Sequence, residues 1–81
     1  MFNSTNAHNI IGFRNLIGGT NFVAANVRSN RDAELAIYNL TEGATTLAQR
    51  MFAAGVVIAC EAAGLLSAVD TNDALDTLGA L

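Results

Sequence analysis

His8 and Cys60 are the two side chains best able to act as base and nucleophile, but 52 positions separate them in a chain of 81 residues. No third group stands ready to orient either one, so the pattern that activates a thiolate is missing. His8 lies in an asparagine-rich start and reads as a surface side chain, while Cys60 reads as a small core residue. One Cys and one His are too few for a structural zinc cage, and one Cys excludes an intramolecular disulfide. Gly18-Gly19-Thr20 could cradle an anion at a helix start, yet it lacks the lysine and the spacing of a P-loop, and a plain turn is the stronger reading. Asn3-Ser4-Thr5 and Asn39-Leu40-Thr41 match the glycosylation sequon, which carries no meaning without secretion. No catalytic, cofactor-binding or metal residues are therefore expected, and the chain reads as no enzyme.

What remains is how the chain hides its apolar surface. It is 52% hydrophobic and 14% charged, against roughly a quarter charged for an ordinary soluble domain. A domain this small buries only about 60 to 65% of its unfolded surface and often needs partners. Residues 51 to 69, MFAAGVVIACEAAGLLSAV, concentrate the problem with a single charge, Glu61.

Charge is segregated along the chain. Residues 1 to 31 hold Arg14, Arg28 and Arg31 and no acid, giving +3; residues 32 to 81 hold seven acids and Arg50, giving −6. Copies of such a chain can attract one another head to tail, with Arg28, Arg31 or Arg50 of one meeting the acidic half of another, although exposed pairs contribute only about 0 to 1 kcal/mol each. Arginines on solvated helix faces are the plainer alternative. Four basic residues are few for neutralising phosphates, so no nucleic-acid partner is expected.

The elements that must carry these residues read as all-α, because proline is absent and β-branched alternation is scarce. A first short helix, with Asn3, Ser4 or Thr5 as cap and Ile10, Phe13, Leu16 and Ile17 at helical spacing, is expected to stop at Gly18-Gly19. The chain then restarts at Thr20 or Asn21 with Phe22, Val23 and Val27 on one face. Eight of nine asparagines lie in residues 1 to 39, and asparagine is a weak helix former, so residues 1–30 are the least firmly helical part of a single 1–81 domain. Residues 31–69 follow as core helices. Ser29 and Asp32 resemble a capping box, with Leu35, Tyr38, Leu47 and Met51 as core candidates. Gly43 either ends that helix or sits inside one running to Val69. Asp70, Thr71 or Asn72 is expected to cap a last helix over 70–81, with Leu75, Leu78 and Leu81 repeating every third residue.

Gly55, Ala59, Ala63 and Ser67 form an i, i+4 stripe of small residues on which another helix can approach closely, whether in lipid or in water. Arg50 stands alone before the stretch, two aspartates follow it, and no aromatic anchor is present, which weighs against a membrane span. Glu61 would cost about 2 to 3 kcal/mol or more near a bilayer centre. The expected solution is burial by neighbouring copies, with Gly55, Ala59, Ala63, Ser67, Leu47, Met51, Ile58 and Leu65 as the assembly interface. Glu61 would then either point along the least buried face or pair with an arginine of another copy. A third reading, a titrating carboxylate like that of a rotary ATP synthase ring subunit, lacks the glycine-rich first helix and basic loop of that family.

The stretch LAIYNLTEGATTLAQRMFAA also resembles the central helix of the R-body structural proteins, which polymerise into refractile cytoplasmic ribbons in bacteria. Tyr38, Thr41, Ala44, Leu47 and Ala48 carry the resemblance, with Thr20-Asn21 and Asp32-Ala33 upstream and LLSAVDT downstream, spanning residues 20 to 71. It implies a non-enzymatic subunit of a helical, insoluble polymer. The expectation is thus an all-α subunit that self-assembles into a filament, ribbon or sheet. The start of the chain has no basic and apolar leader pattern, so a cytoplasmic inclusion is the expected location, with an extracellular filament as a further alternative. A small membrane protein of holin or pilin type, with residues 51–69 as its span, is the alternative function.

Overall fold

The computed structural model describes residues 13–79, with side-chain surroundings from Ile17 onward. It is all-helical over that range, built from α1 (Phe13–Asn26), α2 (Asn30–Gly43), α3 (Leu47–Ala62) and α4 (Ala68–Leu78). Ile10, His8, Leu81 and the cap candidates Asn3, Ser4 and Thr5 lie outside the described residues.

The expected stop at Gly18-Gly19 is corrected, because α1 runs through both glycines. Two interior glycines cost a helix about 1 kcal/mol each. Here the missing side chain is used, since Gly19 lies against the backbone of α3. A Cβ added at Gly19 would fall on the Gly55 carbonyl and lie 2.6 Å from the Val56 nitrogen. Glycine at that position lets two helix backbones come closer than any side chain permits.

Ser29 caps α2 as its spacing predicts, its hydroxyl accepting from the Asp32 amide at 3.1 Å. The return bond goes one residue further back than in a capping box, from the Arg28 amide to Asp32 Oδ2 at 3.1 Å. Gly43 ends α2, so residues 31–69 are not one helix. A full capping box opens α3: Thr46 Oγ1 accepts from the Gln49 amide, and Gln49 Oε1 accepts from the Thr46 amide, both at 3.1 Å.

The apolar run 51–69 does not stay helical either. At Gly64 the chain turns with φ 76°, Leu65 N–H donates to Cys60 O and Gly64 N–H to Glu61 O. That pair of bonds is a Schellman motif, which satisfies the last carbonyls of α3. Ser67, rather than Asp70, Thr71 or Asn72, then caps α4, accepting from the Asp70 amide at 3.1 Å. At sixteen residues, α3 is about 24 Å long, short of the roughly 30 Å of bilayer hydrocarbon. No helix among the described residues is long and apolar enough to cross a membrane.

Every residue from Ala53 to Cys60 is buried, which makes α3 the helix that the others enclose. On one side Val56, Ala59 and Cys60 cluster with Val23 of α1, Val27 just after it and Ala33 of α2. On the other, Ala53, Ala54, Val57 and Ile58 cluster with Leu75 and Leu78 of α4. Ile37 and Leu40 of α2 pack against both clusters. Fully burying a Val, Leu or Ile side chain stabilises by about 1.5 to 3 kcal/mol, and Val56, Val57, Ile58 and Leu75 are all at or below 1% exposure. Thr71, the buried polar side chain of this core, donates its hydroxyl to Ser67 O at 2.8 Å.

Candidate assembly surface

The small-residue stripe that the sequence offers to another copy is split by the fold. Gly55 and Ala59 are buried, and the backbone that meets Gly55 is Gly19 of the same chain. Ile58 is likewise covered from within, at 1% exposure. The close helix approach expected at Gly55 is therefore present, but α1 supplies it; a neighbouring copy does not. Ala63 and Ser67 lie beyond the end of α3 and are exposed, with Met51 and Leu65 half-buried.

Several apolar side chains expected in the core face outward instead. Tyr38 is 64% exposed, Leu47 57% and Leu35 51%, and Val69 reaches 69%; Ile17 and Phe52 are also exposed. Leu35 and Tyr38, core candidates by their spacing, lie instead on an open side of α2. The face of α2 turned to α3 is the adjacent one, with Ala33, Ala36, Ile37 and Leu40. Phe52 retains an edge-to-face contact with Phe22, with ring centroids 5.8 Å apart.

Two open grooves border these residues. One, of about 460 Å³, runs between α2 and α4; Ile37, Leu66 and Ala74 give it apolar walls, and Glu34, Glu42, Asp70 and Asp73 give it carboxylates, with Tyr38, Thr41 and Thr77 completing the lining. No arginine among the described residues lines it. Thr41 Oγ1 is buried there without a hydrogen-bond partner among the described residues. The other, of about 380 Å³, is lined by Asn39, Leu40, Gly43 and Ala44 and by Ala48, Gln49 and Phe52.

The arginines assigned to charge pairing are distributed differently. Arg28 and Arg31 are exposed at the turn into α2, and one guanidinium nitrogen of Arg28 donates to Ala24 O at 3.3 Å. Arg50 is half-buried, and its Nε is buried without a hydrogen-bond partner among the described residues. Glu61 is half-buried in the last turn of α3. Cys60 is a free, buried thiol, and desolvation raises its pKa, so it is a poor thiolate. No group of three or more His, Cys, Asp or Glu among the described residues could hold a metal ion.

Fold and surface together define a small all-helical protein, compact around a glycine-crossed central helix. Comparison of the chain with known protein families, with curated proteins and with solved structures finds no match.

Proposed function

We propose that the chain is a non-enzymatic structural subunit that assembles with copies of itself into a ribbon, sheet or filament. The observation that carries this reading is the outward placement of Ile17, Leu35, Tyr38, Leu47, Phe52 and Val69 on so small a fold. Covering a half-exposed side chain of this size is worth about 1 kcal/mol. Six of them supply about 6 kcal/mol, near the low end of the 4 to 15 kcal/mol that association costs. A single pairwise contact is thus weak, and several contacts per subunit make a lattice stable where a dimer is not. That arithmetic favours a ribbon or sheet over a single-file filament.

The interface in this reading lies on the outer faces, with Leu47, Ala63 and Ser67 of the sequence-derived set available on the surface. The resemblance to R-body proteins supports the same class of function, and a cytoplasmic inclusion is the matching location. The test is negative-stain electron microscopy with sedimentation of the chain expressed alone and lysed without detergent. Regular polymers are expected. Recovery only with membranes, or a monomer that persists at high concentration, would refute the proposal.

A further inference from the structure

The groove between α2 and α4 has three properties that the described residues leave unmet. Its apolar walls, Ile37, Leu66 and Ala74, are open to solvent on one side, four carboxylates border them, and the buried Thr41 hydroxyl lacks a partner. A groove bordered by four carboxylates fits a cationic surface that reaches over its apolar walls. The chain carries such a surface at the turn between α1 and α2. Its first thirty-one residues carry three arginines and no acid, and Arg28 and Arg31 are exposed.

We propose that this groove receives the exposed arginine-bearing turn between α1 and α2 of a second copy, with Arg28 and Arg31 of that copy against the carboxylates of Glu34 and Asp73. The inference rests on the self-assembly reading and names the contact that carries it. A guanidinium presents a planar fork of donors that matches a carboxylate, and the exposed ring of Tyr38 offers a face on which it can stack. The contact joins two different surfaces, so each subunit can donate its arginines to one neighbour and its groove to another. Such a contact propagates where the rotation does not close.

The test uses two full-length variants. Arg28→Glu with Arg31→Glu reverses the donor, and Glu34→Lys with Asp73→Lys reverses the acceptor; all four positions are exposed. Each variant alone places like charges together and should raise the critical concentration for assembly about tenfold or more, as read by sedimentation. An equimolar mixture should assemble as the wild type does, because native arginines meet the native groove and reversed donors meet the reversed groove, in alternation. The neutral pair Glu34→Gln with Asp73→Asn should show a smaller loss and guards against a fold disturbed by charge reversal. Variants that assemble alone like the wild type, or a mixture no better than its parts, would overturn the groove contact while self-assembly stands. A wild-type chain that never assembles would overturn both.

Discussion

Gly18→Ala and Gly19→Ala change neighbouring residues of one helix in the same way, and their effects on stability should have opposite signs. Alanine is favoured over glycine in a helix interior by about 0.8 to 1 kcal/mol. At Gly18 the nearest atom to an added Cβ is Phe52 Cε2 at 4.0 Å, an ordinary contact, so most of that gain should survive. At Gly19 the same methyl meets the Gly55 carbonyl and lies 2.6 Å from Val56 N. Those are backbone atoms in the middle of α3, so no side-chain rotation relieves the overlap. The helices must separate by about 1 Å to restore van der Waals distance, which loosens Val23 and Val27 against Val56 and Cys60; overpacking of this kind costs about 1 to 3 kcal/mol, and more where backbone must move. The clash outweighs the propensity, leaving Gly19→Ala destabilised by about 1 to 2 kcal/mol and Gly18→Ala stabilised by up to about 1. Urea unfolding followed by far-ultraviolet circular dichroism measures both, with a concentration low enough to hold the chain monomeric. A Gly19→Ala protein as stable as the wild type would mean that α1 does not cross α3 at Gly55.

Gly64→Ala should cost about 1 kcal/mol through backbone strain alone, since φ is 76° while nothing lies within 4 Å of the added methyl; a loss of fusion enthalpy without a shift in midpoint would contradict it. Thr46→Ala removes the cap of α3 and should lower stability by about 1 kcal/mol in the same urea assay, with Thr46→Ser restoring most of it. Ala59→Leu should destabilise the monomer by about 1 to 3 kcal/mol, because Ala59 is buried in the cluster that joins α1 to α3; an effect confined to assembly would show that the face is open. The folded state holds the Cys60 thiol neutral above its ordinary 9.0, so above that pH the unfolded chain binds fewer protons than the folded one. Stability should therefore fall as pH rises past about 9, by up to ~1.4 kcal/mol per pH unit until the folded thiol ionises, and Cys60→Ala should abolish that part of the slope.

The helical class was legible in the absence of proline and in the spacing of Ser29 from Asp32, because caps and breakers act through local chemistry. The same local reading failed at Gly18-Gly19, where a tertiary contact outweighs the glycine penalty and turns a stop signal into a crossing point. It failed again at residues 51–69. Hydropathy reports that these residues avoid water, but the left-handed turn at Gly64 divides them between two antiparallel-capable elements without exposing the hydrophobic part of α3. The small-residue stripe was read as a place of close approach, and at Gly55 it is one; nothing in a single sequence says which helix approaches. Tyr38 and Leu35 show the complementary limit. Periodicity finds an apolar side of α2, but the orientation of that helix is fixed by Ala33 and Ile37, whose burial depends on residues of α3 sixteen or more positions away.

The crossing of Gly19 on Gly55 also sets an order of events. These residues are 55 − 19 = 36 positions apart, and closing a loop of that length costs about 3 kcal/mol of chain entropy before any contact repays it. Ile58 and Leu75, in the cluster that joins α3 to α4, are 75 − 58 = 17 positions apart, a cheaper closure. The α3–α4 pair can thus form early as a nucleus, and α1 docks late onto a face already shaped to receive it. Once docked, α1 covers more of α3 than any other helix does, so its amides should exchange only through openings that also uncover Val56 and Cys60.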